Sequence, residues 1–266
     1  MVRRDPQPNV PWMKIPRLVA HRGYAKHYPE NTLVALQEAL KAGACFVEFD
    51  VQMTADHVPI LLHDSTLLRT GGTRKNILEM TFAQTQEVSV GETKRLGKDF
   101  SEVKIPTLLD AIFLMRNFPD SMAFIEIKEE SLQHFGIEIV VKTITNLLKK
   151  HLSNYAIISF DMLAVRCARA MGAPAIGWVV PTWDDKSRVI ATELAPDYLF
   201  CNYKKIPASA DLWRGPWQWA LYEVTDAEVA LTLAERGADL IETMAIGELL
   251  QDPTLQQRGC FADRKL

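Results

Sequence analysis

The stretch Phe46-Val47-Glu48-Phe49-Asp50-Val51 decides how the chain is read. Side chains alternate along a strand, so Glu48 and Asp50 point to one side while Phe49 and Val51 pack on the other. Two acids side by side on an inward face are costly without a cation. A hard divalent ion with oxygen ligands resolves the repulsion. The competing reading of this stretch alone is a solvated edge strand.

Outward from it, short apolar runs alternate with helical patterns. Strands are expected over residues 18–21, 46–51, 60–63, 123–128, 155–160, 175–180, 198–202, 217–224 and 239–242. Helices are expected over 32–42, 108–117, 135–150, 162–171, 186–194, 227–236 and 246–251, with Asp161 and Thr225 or Asp226 as N-caps and Gly43, Gly172 and Gly237 as stops. Strand–helix alternation implies a parallel sheet. About eight such units predict an α/β fold closed into a (β/α)₈ TIM barrel, which commonly needs about 250 residues. The 266 residues therefore fit one domain, 1–266. An open doubly wound sheet is the structural alternative, but the glycine-rich fingerprint expected after its first strand is absent. Residues 65–106 are polar and irregular, with Gly71-Gly72, Gly91 and Gly97, and read as an insertion after the second strand, near a functional face.

Composition narrows the function. A formal net charge of −3 argues against a general nucleic-acid binder. No apolar run approaches the ~20 residues of a membrane span, and residues 1–16 carry Arg3 and Arg4 with no apolar core behind them, so no secretory signal is expected. Cys45, Cys167, Cys201 and Cys260 have no metal-site spacing and read as reduced thiols, which points to the cytoplasm. Trp213, Trp217 and Trp219 form a contact surface or a bottom-face core, with core favoured. Oligomeric state is open.

The chemistry-bearing residues close apolar runs. In a barrel, the C-terminal ends of the strands form the active face. Val19-Ala20-His21-Arg22-Gly23 supplies a proton carrier, a planar phosphate donor and a residue free to turn sharply. Ile60-Leu61-Leu62-His63-Asp64 supplies a second imidazole, with Asp64 orienting His63 or capping the next segment. Phe124-Ile125-Glu126-Ile127-Lys128 places a third carboxylate and an ammonium on one face. The set supplies metal ligands, acid, base and phosphate clamp, which phosphodiester cleavage needs.

His21-Arg22-Gly23, Pro29-Glu30-Asn31-Thr32, Glu48-x-Asp50-Val51-x-x-Thr54, Pro59 through His63-Asp64, Arg69-Thr70, Ile105-Pro106-Thr107-Leu108, Ile125-Glu126-Ile127-Lys128 and Ser159-Phe160-Asp161 resemble, in order, the glycerophosphodiester phosphodiesterase signature. The resemblance spans about residues 18–243. It implies a TIM barrel binding one divalent cation, Mg2+ or Ca2+, through Glu48, Asp50 and Glu126. It also implies His21 and His63 as the acid/base pair and Arg22 and Lys128 on the phosphate. Tyr222-Glu223-Val224-Thr225 departs from the family's usual Trp-Thr-Val-Asn, leaving Tyr222 as the platform for the glycerol, and Thr243-Met244 replaces the usual Thr-Asp. The implied reaction, in glycerol and lipid metabolism, is hydrolysis of a small glycerophosphodiester to sn-glycerol 3-phosphate and an alcohol through a cyclic phosphate. Two rivals are a phospholipase D-type enzyme on lipid substrates and a non-catalytic phosphodiester-binding barrel.

Overall fold

A computed structural model describes residues 14–255 and 260. The expectations placed on residues 1–13, and on the tail from Gln256 apart from Cys260, lie outside the described residues.

In chain order the elements begin with β1 (Arg17–Ala20), α1 (Leu33–Lys41), β2 (Phe46–Met53) and β3 (Pro59–Leu61). Short helices α2 (Leu68–Gly71), α3 (Phe82–Thr85) and α4 (Thr93–Leu96) follow. The barrel resumes with α5 (Leu108–Met115), β4 (Met122–Ile127), α6 (Glu129–Phe135), α7 (Ile137–His151), β5 (Tyr155–Ser159), α8 (Met162–Ala170), β6 (Ile176–Val179) and α9 (Asp185–Leu194). It ends with β7 (Tyr198–Asn202), β8 (Gln218–Tyr222), α10 (Ala227–Glu235), β9 (Leu240–Thr243) and α11 (Ile246–Gln251).

The strand order runs β1-β9-β8-β7-β6-β5-β4-β2, and the pairing of β1 with β2 closes the ring. Among the described residues this makes a barrel of eight parallel strands wrapped by helices, the (β/α)₈ architecture expected. All eight side chains of β2 are buried, as a parallel strand covered on both faces requires.

Alternation sorts the residues into two cores. Outward-facing side chains such as Phe49, Ile125, Ile157 and Leu221 join the helices in the outer layer. Val19, Phe46, Phe124, Ala156, Ile158, Phe200, Ala220 and Leu240 fill the barrel. Each inner residue fixes the face of the residue two further along its strand. This is why His21, Glu48, Glu126, Tyr222 and Glu242 face inward at the C-terminal mouth. Trp213, Trp217 and Trp219 are core: all are buried in the outer layer, with the Trp213 carbonyl accepting the indole N–H of Trp217 (3.1 Å) and of Trp219 (2.9 Å).

Three expectations need correction. The run 60–63 is no barrel strand: β3 pairs antiparallel to β2, with Val51 opposite Leu61, and His63 lies beyond its end. The cause is a tight turn over Thr54-Ala55-Asp56-His57, in which His57 adopts φ 60° and the Thr54 hydroxyl accepts from the Val58 N–H at 3.0 Å. The excursion between β2 and α5 thus starts as a hairpin, before residue 65. It carries its own apolar cluster of Ile60, Leu62, Leu67, Ile77, Leu78, Met80, Val90 and Ile105. Second, the helical run expected over 135–150 starts at Ile137; Gly136, at φ 88°, separates it from the short α6, which the sequence reading lacked. Third, Cys45 and Cys260 form a disulfide across a separation of 215 residues, so they are not reduced thiols; Cys167 and Cys201 are free. The inference of a reducing compartment rested on four thiols and loses that support. No helix among the described residues is long and apolar enough to cross a membrane.

Candidate active site

The entry to the site is built by a reversed turn after β1. Arg22 and Gly23 both have positive φ, 56° and 79°. This left-handed pair swings the chain back onto α1, where the Tyr24 N–H donates to the Ala35 carbonyl at 2.9 Å. A Cβ on Gly23 would lie 2.5 Å from the Ala35 carbonyl carbon. Gly23→Ala is therefore expected to cost more than about 1 kcal/mol in chemical denaturation, because strain and clash act together. A variant as stable as the parent would contradict this account of the turn.

Asn31 also sits at positive φ, 56°, a conformation Asn tolerates better than most residues. Its amide donates to Asp50 Oδ2 (2.8 Å) and its carbonyl accepts the Asp50 N–H (2.9 Å). Thr32 caps α1, accepting from the Ala35 N–H.

The cavity at the mouth has a volume of about 220 Å³. It brings together His21, Arg22, His63, Glu126, Lys128 and Tyr222, with Ile158, Phe160, Val179 and Phe200 as an apolar wall. Glu48 and Asp50 stand beside it, with ligand atoms of Glu48, Asp50 and Glu126 all within 4.8 Å of one another. Every site residue expected from the sequence thus falls in or against one cavity.

The electrostatics divide the acids. Burial works against ionised Asp50, but Lys128 (3.3 Å), Arg22 (3.2 Å) and the Asn31 amide overcome it and hold this carboxyl far below its usual range. Glu126 accepts from Lys128 at 2.6 Å, yet burial and the neighbouring Asp50 still push it up. Burial, Asp50 and Glu242 push Glu48 well above the usual carboxylate range. Burial also holds the His21 imidazole well below its ordinary value, with Arg22 adding to the effect. Tyr222 stays a phenol, raised by burial, with its ring centroid 6.3 Å from that of His21. Glu48 Oε1 and His21 Nδ1 are buried without a hydrogen-bond partner. Clustered carboxylates with an orphaned oxygen are a donor set that fits a divalent cation.

Sequence reasoning missed a supporting network. Glu30, buried, accepts from Arg22 (3.0 Å) and from both terminal nitrogens of Arg69 (2.6 and 2.7 Å). Arg69 also donates to Asp64 (2.8 Å), which bonds His63 Nδ1 at 2.6 Å. Asp64 therefore orients His63, the first of the two roles left open, and the hydrogen bond from His63 is the main reason its carboxyl is held far below the usual range. Glu92, at the start of α4, accepts the Glu30 N–H (2.8 Å) and pairs with Arg95 (2.7 Å). Glu242, the other missed residue, lines the cavity from β9. Its signal was available: Leu240-x-Glu242 repeats the alternation of Phe46-x-Glu48.

The mouth of this TIM barrel gathers two imidazoles, clustered carboxylates, a guanidinium and an ammonium, the residue types of the phosphodiesterase signature that the sequence resembles. The chain belongs to the glycerophosphoryl diester phosphodiesterase family, whose model matches residues 21–196. A glycerophosphodiester phosphodiesterase of Caldanaerobacter subterraneus is 32% identical over 190 residues, 68% of this chain and 75% of that protein. The bovine glycerophosphodiester phosphodiesterase 1 is 44% identical over 94 residues, 35% of this chain; the match spans only 28% of the length of that relative. In fold, the chain resembles an Oleispira antarctica phosphodiesterase solved with sn-glycerol-3-phosphate, at TM-score 0.77 and 24% identity, covering 88% of this chain and 95% of that one.

Proposed function

We propose that the protein hydrolyses small glycerophosphodiesters to sn-glycerol 3-phosphate and an alcohol, with His21 and His63 as the acid/base pair. The observation that carries this reading is the single cavity in which both histidines stand with Arg22 and Lys128 beside the acids. One histidine takes the proton of the glycerol 2-hydroxyl, whose oxygen attacks phosphorus. The other histidine protonates the departing alcohol as its bond to phosphorus breaks, leaving a cyclic phosphate. Water then opens the ring with the two proton transfers reversed. Arg22 and Lys128 offset the negative charge that builds on the phosphoryl oxygens. Glu48, Asp50 and Glu126 would hold the cation, Mg2+ or Ca2+, which when bound adds further positive charge against those oxygens. Tyr222 and the apolar wall of Ile158, Phe160 and Val179 take the glycerol carbons. The sn-glycerol-3-phosphate held by the Oleispira relative is the product this reading expects.

The test is release of sn-glycerol 3-phosphate from glycerophosphocholine and glycerophosphoethanolamine by purified protein supplied with Mg2+ or Ca2+. Turnover of either supports the proposal; a folded, ion-loaded protein inert toward both sinks it. The lipid-cleaving alternative gains from one observation, the Cys45–Cys260 disulfide, which removes the argument for a reducing compartment. Choline release from lysophosphatidylcholine micelles, compared with choline release from glycerophosphocholine, separates the two: preferential cleavage of the lipid would transfer the assignment to it.

A further inference from the structure

Glu242 lies outside the motifs on which the resemblance rests, yet barrel closure brings it to the centre of the site. On β9 it lies opposite Val19 of β1, and Val19 lies opposite Phe46 of β2. His21 and Glu48 are two residues beyond Val19 and Phe46, so they rise on the same inner face next to Glu242. Ligand atoms of His21, Glu48 and Glu242 all lie within 4.8 Å of one another.

Each of the three presents a buried atom with no partner: His21 Nδ1, Glu48 Oε1 and Glu242 Oε1. The residues are only 8%, 2% and 3% exposed. The nearby cations are committed elsewhere. Lys128 is paired with Glu126 and Asp50, and the Arg22 side chain with Asp50 and Glu30. Among the described residues no Lys or Arg ion pair reaches Glu242 or Glu48; Glu48 Oε2 receives the Arg22 backbone N–H at 3.0 Å and faces His21 Nε2 at 4.0 Å. Two buried acids and an imidazole, each with an orphaned atom, make a donor set that a divalent cation would satisfy.

We propose that His21, Glu48 and Glu242 form a second divalent-cation site, next to the Glu48–Asp50–Glu126 cluster and sharing Glu48 with it. One nitrogen and two carboxylates suit a borderline ion such as Zn2+ or Co2+, whereas the all-oxygen cluster suits Mg2+ or Ca2+. An ion held by either ring nitrogen of His21 competes with the protons that the imidazole would carry in the reaction. Filling the site therefore inhibits turnover, a consequence that rests on the catalytic role proposed for His21.

The test is titration of the Mg2+-loaded protein with Co2+, following visible absorption and counting both metals by elemental analysis. One Co2+ per chain should bind with Mg2+ retained, giving absorption stronger than that of the hydrated ion. Glu242→Gln should weaken Co2+ binding by at least the roughly 10- to 100-fold typical of losing even an outer-shell partner. His21→Asn should remove the strong absorption. No added Co2+, its exchange for Mg2+ one for one, or equal binding by parent and Glu242→Gln would overturn the site. The titration of the parent protein decides this even if a variant fails to fold. It also stands if the protein proves inert toward every diester, so the site and the proposed reaction fail independently. Zn2+ added to active enzyme should inhibit with the midpoint of its binding; Zn2+ bound with turnover unchanged would overturn the inhibitory assignment.

Discussion

His63→Ala lowers kcat by roughly 10²- to 10⁴-fold, the usual contribution of a positioned acid or base, while the protein stays folded. Both halves of this expectation follow from how His63 is held. Its Nδ1 bonds Asp64 at 2.6 Å, and Asp64 is itself fixed by Arg69. With the Asp64 carboxyl held far below its usual range, it stays an anion and accepts the Nδ1 proton, which leaves Nε2 for the proton transfer proposed above. The ring is only partly buried, its side chain 32% exposed, and it lies outside the apolar clusters, so truncation leaves no large void. His21→Ala is expected to be as damaging to turnover. The double variant should be little worse than either single one, because groups that act as a unit are not additive. Steady-state kinetics with circular-dichroism melting read both quantities. A His63→Ala protein with near-parental kcat would rule out the acid/base pair.

The same residue shows what a sequence conceals. The alternation of residues 46–51 and 123–128 was enough to place Glu48, Asp50, Glu126 and Lys128 on one inner face, because parity along a strand is local. The run 60–63 carries equally apolar residues, but apolarity cannot tell a parallel barrel strand from an antiparallel hairpin arm. The deciding feature is the turn at Thr54–His57, with a histidine in the left-handed region. His63 reaches the cavity although its strand was wrong, since the hairpin folds its end over the mouth. Glu242 was legible by parity, but its proximity to His21 and Glu48 depends on β9 closing against β1, a contact more than two hundred residues apart in the chain. The pairing of Cys45 with Cys260 is long-range in the same way, and spacing carried no trace of it. Glu30 and Asn31 lay inside the quoted signature without an assigned role. Their purpose appears only when Arg22, Arg69 and Asp50 converge on them.

Removal of divalent cations is expected to abolish turnover, and the stabilisation gained on restoring Mg2+ or Ca2+ to grow as pH rises. The sign comes from the buried acids. Burial and neighbouring acids raise Glu48, Glu126 and Glu242 above the usual carboxylate range. The ion-free folded state therefore binds more protons than the unfolded chain, and its stability falls as pH climbs from the ordinary carboxylate value through these raised ones. Asp50 acts in the opposite sense and lower down: its contribution is complete above the ordinary value and is lost only in strong acid. A cation binds the ionised carboxylates, so protons compete with it. Bound to the folded state alone, it adds stability that increases as its apparent Kd falls. Thermal melts at about pH 5 and about pH 8, with EDTA and with saturating Mg2+ or Ca2+, should show the smaller ion-induced gain at the lower pH, where the carboxyls retain protons. The EDTA-treated protein should melt lower at about pH 8 than at about pH 5 as far as these groups decide it. The ion that restores both turnover and the melting gain names the resident cation. Full activity in EDTA, or an equal gain at both pH values, would mean that Glu48, Asp50 and Glu126 do not hold the catalytic ion, and that the raised carboxyls act as buried acids in their own right.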